Sequence, residues 1–479
     1  MQLKIISHTL TILVLSVSLI SGCEKYLNNT QLPAGTIAGD DAFVSDNSIS
    51  AIVTGSYFSL NGSGPFSGGS SSNLGNLMGL FTDELKPVAT SSVTNQVYYN
   101  DALTTKNTGY WSDLYNKIYV VNANIEGIKS TPAYLYYKDQ WLGECYFLRA
   151  FLYFNLVNIY GDVPLALTSD FTVNSKLSRA PQSQVYDQII ADCRMAKSLL
   201  SSDYKDGFGT TSTYRVRPNR AVATALLAKA FLFAGKWDSA EVHAAALINN
   251  GAYKLEAPDQ TFLTESKETI WALATNNDEK TYEYSMYNNA MPATITPPED
   301  LSAWTLVAMN PALPNAFETN DQRFTNWVRS TTVAASATTP SITYYFPNKY
   351  KSATGGAEKT VLLRLAEMYL IRAEARARQE NTGGAQVDLN MIRTRAGLPA
   401  TTAGTRDELI SAVTAERRVE LFTECGNRFF DLKRTGTIDA VMTVAAQQKG
   451  TTWKSYMSLW PINPDDIILN TNLTPNPGY

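Results

Sequence analysis

A break in helix rhythm constrains this chain more than any other feature. Residues 252–360 carry Pro292, Pro297, Pro298, Pro311, Pro314, Pro340 and Pro347 among many Thr, Asn and Tyr. Proline lacks a backbone donor and fixes its own φ, so no helix runs through such a stretch. The spacing predicts loop with short strands, at Thr269–Ala274 and Ile342–Phe346. On both sides apolar residues recur at helical spacing. Upstream segments are Asp40–Leu60, Trp111–Lys129, Ala133–Tyr160, Gln182–Ser201, Asn219–Ala234 and Asp238–Asn249. Downstream, helix returns at Thr360–Gln379, Gly384–Thr394 and Arg406–Thr423. Asn61–Gly75, rich in Gly and Ser, and Ser455–Tyr479, rich in Pro and Asn, read as loop.

The helices come in pairs. Ala225-Leu226-Leu227-Ala228-Lys229-Ala230-Phe231 closes one, and Gly235-Lys236-Trp237-Asp238-Ser239-Ala240 turns into the next. Glycine permits the turn, the aromatic packs in it, and a small alanine lets two helices approach closely. A looser copy follows the proline-rich stretch, in Ala373-Glu374-Ala375, Gly383-Gly384-Ala385 and Asp388–Arg393. The expected fold is mostly α: a tetratricopeptide-like helical-pair scaffold, about 40–250 and 360–435, carrying a loop-rich insert with short strands at about 252–360.

The N-terminus reads as an export signal. Lys4 precedes the apolar run Leu10–Ile20, which ends in Ser21-Gly22-Cys23. A basic start, a short apolar core and small residues before a cut site describe a secretory signal. A cysteine directly after the small pair is the lipobox pattern of bacterial lipoproteins. Residues 1–22 are then removed, Cys23 carries the acyl chains, and 23–39 is a tether to a single domain at 40–479. The alternative is an ordinary signal peptide in which Cys23 is incidental. No later segment has eighteen consecutive apolar residues, so the expectation is a soluble body on a lipid anchor.

Formal charge is −4, with no basic stripe, so nucleic acid is not an expected partner. Cys145, Cys193 and Cys425 sit in apolar surroundings and read as buried free thiols. Once His8 leaves with the signal, His243 is the sole histidine. That argues against histidine-dependent triads and zinc sites, and no phosphate loop or dinucleotide fingerprint is present. The chain reads as a non-enzyme with no cofactor and no metal site.

Several segments together resemble the SusD/RagB family of outer-membrane nutrient-binding lipoproteins. They are Ala51-Ile52-Val53-Thr54-Gly55-Ser56-Tyr57, Trp111-Ser112-Asp113-Leu114-Tyr115 with Ala123-Asn124, and Tyr160-Gly161-Asp162-Val163-Pro164-Leu165. The resemblance continues through Arg364-Leu365-Ala366-Glu367-Met368-Tyr369-Leu370 and Glu416-Arg417-Arg418-Val419-Glu420-Leu421. It ends with Arg428-Phe429-Phe430-Asp431-Leu432-Lys433-Arg434 and Asn476-Pro477-Gly478-Tyr479. Local departures are Cys425 before Gly426, Thr435-Gly436 in place of a Trp, and Thr474-Pro475 where Gln is usual. The resemblance implies a cell-surface protein seated over a SusC-like TonB-dependent transporter in the outer membrane. Such a protein captures an oligosaccharide, or in some members a peptide, and delivers it. A peptide- or glycopeptide-binding member and a purely structural assembly lipoprotein are the alternatives.

A sugar ring has an apolar C–H face and a hydroxyl edge, so its receptor sets aromatic platforms beside polar groups. Two loop regions supply both. Phe81–Tyr110 offers Asp83, Glu84, Asn95, Tyr98, Tyr99 and Asn100. Trp271–Trp327 offers Asn276, Asn277, Asp278, Tyr282, Tyr284, Tyr287, Asn288 and Trp304. From these, Asp83, Tyr98, Tyr99, Asn276, Asn277, Asp278, Tyr282, Tyr284, Tyr287 and Trp304 are the candidate ligand contacts. Trp111, Tyr115, Trp141 and Trp237 lie on predicted helices and read as packing. The charged set Glu416, Arg417, Arg418, Glu420, Arg428, Asp431 and Arg434 reads as a structural ion-pair network.

Overall fold

The computed structural model describes residues 42–62, 64–66, 72–88, 92–107, 109–274, 279–288, 291–297 and 299–479. The signal, the tether, Cys23, Asn276, Asn277 and Asp278 lie outside the described residues.

Helices dominate. They begin with α1 (Asp46–Gly62), α2 (Leu74–Phe81) and α3 (Val93–Tyr99). A stack of long helices follows: α4 (Gly109–Ser130), α5 (Lys138–Tyr160), the short α6 (Phe171–Asn174), α7 (Gln182–Leu199), α8 (Arg220–Phe233) and α9 (Trp237–Ile248). The insert contributes α10 (Tyr282–Tyr287) and α11 (Gln322–Trp327). The chain closes with α12 (Leu365–Arg378), α13 (Thr382–Arg395), α14 (Arg406–Glu420), α15 (Asn427–Arg434), α16 (Ile438–Lys449) and α17 (Pro464–Leu469).

Neighbouring helices pack in order: α4 on α5, α5 on α7, α7 on α8, α8 on α9, then α9 directly on α12, and α12 on α13 and α14. The stack therefore continues across the insert, which leaves and rejoins it. Gly235, at φ +68°, makes the turn between α8 and α9 that the sequence predicts. α5 is buried nearly all round, from Gln140 through Tyr160 apart from Tyr146, as befits a helix at the centre of a stack. Trp271 enters this core edge-on between Phe147 and Phe151, at 4.8 and 4.9 Å.

Among the described residues, nine short strands hold the loops. β1 (Leu85–Pro87) pairs antiparallel with β6 (Val307–Met309), and β2 (Val163–Pro164) with β3 (Arg179–Ala180). β4 (Thr269–Ala272) pairs antiparallel with β9 (Val361–Arg364). β5 (Thr294–Ile295), β7 (Val328–Val333) and β8 (Ile342–Pro347) form a small sheet in the order β5-β7-β8. Both predicted strands are present, as β4 and β8.

Some boundaries differ from expectation. The helix predicted from Thr360 starts only at Leu365, because residues 361–364 add to β4 from far away in sequence. The helix predicted from Ala133 starts at Lys138. The Asp46 carboxylate takes the backbone N–H groups of Tyr136 (2.7 Å) and Tyr137 (3.0 Å), holding that stretch as a connection. α14 stops at Glu420 rather than Thr423, since Thr423 and Cys425 adopt positive φ in a tight turn.

The insert is fastened by buried charge. Arg323 on α11 bonds Asp321 (2.8 Å), Glu416 (2.6 Å) and Glu420 (2.9 Å). Arg364 bonds Glu268 (2.9 Å), Glu420 (2.5 Å) and Glu424 (2.9 Å), and Arg395 also reaches Glu420. Lys349 bonds Glu424 at 2.5 Å. A second cluster joins Arg417 and Arg434 to Asp431, and Arg434 to Glu374. The charged motifs at 416–434 thus lock helices to one another and to the insert.

Candidate ligand-binding face

The pairing of β1 with β6 brings the two predicted loop regions together. Leu85 lies opposite Met309 and Pro87 opposite Val307. Val88 N–H donates to Leu306 O (3.0 Å), and Asn310 N–H to Glu84 O (2.8 Å), extending the junction at both ends. Beneath it is a small apolar core of Met291, Ile295, Leu301, Ala308 and Phe346, with Val88, Trp304, Val333 and Tyr344 packed half-buried against it. The Lys86 ammonium stands 4.8 Å from the centre of the Tyr344 ring. Half-burial pulls the Lys86 ammonium below its ordinary range. The Trp304 indole N–H is buried and finds no acceptor among the described residues. Two half-buried rings against one small core, with an ammonium beside one of them, can stack an apolar ring face and bond its polar edge.

The candidates divide. Tyr99, Tyr282 and Trp304 are half-buried. Tyr99 has Lys449 5.2 Å from its ring centre. Asp83, Tyr98, Tyr284 and Tyr287 are buried, which corrects the expectation that they face solvent. Asp83 takes the Arg428 Nε and Nη2 hydrogens, both at 2.8 Å, and that of Arg418 Nη2 at 2.7 Å. Burial alone would raise its carboxyl, but Arg428 and Arg418 outweigh burial and hold it below the ordinary range. Tyr98 packs edge-on against Trp460 at 5.2 Å. Asp83 is drawn in by its two arginines, and for the tyrosines the physical reason is local: short helices α3 and α10 form inside the expected loops. Tyr284 and Tyr287, three apart, share the inward side of α10. Asn288 is also consumed internally, donating to Asn348 Oδ1 (2.7 Å) and Tyr350 O (3.2 Å).

Lys86 and Tyr344 join this candidate face without standing out in the sequence. A signal for Tyr344 exists: in β8, Ile342, Tyr344 and Phe346 point to one face, and Phe346 fills the small core. Asn95 is fully buried on α3, with neither amide atom bonded to a described residue.

Two carboxyls near this face titrate late. Burial, with the Asp83 charge, pushes Glu84 up to about 7. Burial likewise pushes Glu283, which accepts from the Thr360 hydroxyl at 2.8 Å, up to about 7. Glu283 belongs to α10, so the ionisation of one buried group bears on the helix that carries Tyr282. Among the described residues no cluster of His, Cys, Asp and Glu could hold a metal ion. His243 stacks on Phe231 at 5.4 Å, and burial with nearby Lys197 and Arg194 lowers its pKa to about 4. Cys145 and Cys193 are buried and free, and Cys425 is half-buried and free.

Comparison with known proteins agrees with this architecture. Residues 324–479 match the SusD family, and residues 62–232 match a family described as "Starch-binding associating with outer membrane". The chain is 25% identical to SusD-like protein P2 of Formosa agariphila, over 98% of this chain and 99% of that one. Its fold is similar to a structure described as a laminarin-binding SusD-like protein, with TM-score 0.73 and 24% identity over 91% of this chain and all of that one. It is also similar to surface glycan-binding protein A from Bacteroides fluxus, with TM-score 0.71 and 20% identity over 91% of this chain and 100% of that one. The helix-pair scaffold with its loop-rich insert defines a SusD-like protein, and the chain belongs to the SusD/RagB family.

Proposed function

We propose that this chain is a glycan-binding, non-catalytic lipoprotein of the outer membrane. It captures oligosaccharide at the rim formed by Trp304, Tyr344 and Lys86, with Tyr282 and the segment Asn276–Asp278 as further contacts, and hands it to a TonB-dependent transporter. The observation that carries this reading is the β1–β6 junction, which sets a half-buried tryptophan and tyrosine against one small core, with the Lys86 ammonium over the tyrosine ring. The names of the relatives, laminarin-binding and surface glycan-binding, support the ligand class. Lipobox and short apolar run support the anchor at Cys23. Calorimetry of the mature chain against laminarin, soluble starch and a polysaccharide panel, with a peptide panel alongside, tests the reading. Binding to at least one polysaccharide and to no peptide is the expected result. Binding to peptides alone would make this a peptide receptor. Co-purification with a transporter and no binding of either class would make it an assembly protein.

A further inference from the structure

The described chain enters the fold at Ala42, and the surface around that entry is aromatic. Three segments meet there. The Thr131 hydroxyl donates to Phe43 O at 2.6 Å, and the Phe43 ring lies against Gly127. Asp46 holds the N–H groups of Tyr136 and Tyr137 and the indole N–H of Trp141 (2.9 Å). The Ser50 hydroxyl donates to Gly207 O in the turn 206–210. Gly209, at φ +76°, lets that turn lie on Tyr137; a Cβ there would stand 2.6 Å from the ring. From this one corner Val44, Tyr134, Tyr136 and Phe208 project, exposed by 55, 88, 73 and 76%. Lys138 and Lys205 line a cleft of about 330 Å³ beside them.

Scattered exposed apolar residues are ordinary, but four converging from three segments form a patch with a purpose. They protrude rather than enclose, which suits a surface more than a small ligand. Tyrosine and phenylalanine rings favour the boundary between water and hydrocarbon, where lysine stems also lie well. What the patch meets follows from where the chain leads. Residues 24–41 connect this corner to Cys23. Eighteen extended residues span at most about 60 Å. An anchored chain therefore keeps this corner near the bilayer, at an effective concentration of order mM, so weak contacts suffice.

We infer that this corner is a membrane-contact face. Tyr134, Tyr136 and Phe208 seat in the interfacial layer of the bilayer to which the chain is tethered, and so fix the tilt of the body above it. The inference rests on the reading of Cys23 as the anchor. Its test does not depend on acylation in the cell. The mature chain is coupled through the Cys23 thiol to a maleimide lipid in vesicles of phosphatidylethanolamine and phosphatidylglycerol. Cys145 and Cys193 are buried, and burial raises the Cys425 thiol to about 12, so Cys23 is the reactive site. Hydrogen exchange is compared with the same chain capped by a soluble maleimide. Exchange should slow roughly fivefold or more in 132–138 and 205–211. It should not slow in 168–176, which carries the equally exposed Phe171. A triple variant, Tyr134→Ser, Tyr136→Ser and Phe208→Ser, should melt like the parent and lose the protection. Unchanged exchange, equal slowing at 168–176, or protection kept by the triple variant would overturn the inference. So would protection of these segments by laminarin without vesicles, which would make the corner a sugar platform. Detergent partitioning of the cell-made protein reports acylation separately.

Discussion

Replacing Glu420 by Gln tests the clamp between insert and scaffold. Glu420 is fully buried and meets Arg323, Arg364 and Arg395. Burial would raise its carboxyl, but Arg395, Arg364 and Arg323 hold it well below the carboxylate range. Around it Arg323, Lys349, Arg364 and Arg395 meet Glu268, Asp321, Glu416, Glu420 and Glu424, while Arg393 bridges Glu416 to the more exposed Glu318. Glutamine keeps the shape but removes the carboxylate charge that three guanidiniums share. Breaking a buried pair from one side costs on the order of 3–5 kcal/mol. With an m-value of about 3 kcal/mol/M or more for a chain this long, the urea midpoint should fall by about 1 M. A cycle with Arg395→Met should show coupling of about 1–3 kcal/mol, since the two side chains touch. A midpoint within about 0.3 M of the parent would refute the reasoning, because the network would then be solvated or dispensable.

Other outcomes follow from the same coordinates. Glu283 has its folded pKa raised to about 7, so the unfolded chain ionises first as pH rises from 4.5. Stability should fall by up to about 3 kcal/mol between those values, and Glu283→Gln should lose that slope in urea midpoints at pH 5 and 8; equal slopes would contradict it. Asp431 runs the other way. Burial raises it, but Arg417 and Arg434 outweigh burial and hold it at about 2. Its contribution, about 2 kcal/mol, should be complete above pH 4 and vanish as pH falls through 2, and Asp431→Asn should abolish that acid limb in a pH-melting series. Cys23→Ser should move the protein out of the detergent phase; unchanged partitioning would remove the lipid anchor from the account.

The scaffold was legible because its signals are local. Helical spacing in Gln182–Ser201 or Asn219–Ala234 is a property of the segment itself, and the observed helices begin within a residue of expectation. The Gly235 turn was legible for the same reason. What escaped depends on distant partners. Residues 361–364 look like a helix start until β4 is beside them, and Lys86 has no visible role until Tyr344 approaches from β8. The insert misled in a specific way. Its prolines announce loop, yet between them α10 fits in six residues, too short to show a period, and turns Tyr284 and Tyr287 inward. Composition marked a region rich in aromatic and polar groups but could not separate rings that reach the surface from rings that fill the core.

The central claim is that glycan is held at the Trp304–Tyr344 rim. The most direct measurement is the affinity of Trp304→Ala and Tyr344→Ala for whichever polysaccharide the panel identifies, taken with their melting temperatures. Both side chains are half-buried over a small satellite core, so melting should drop by only a few degrees. Removing a central aromatic from a binding surface costs about 2 kcal/mol or more, so affinity should fall at least roughly tenfold in one or both variants. Full affinity in both, with folding intact, would contradict the claim and send the search to Tyr99 and the Phe81–Tyr110 region.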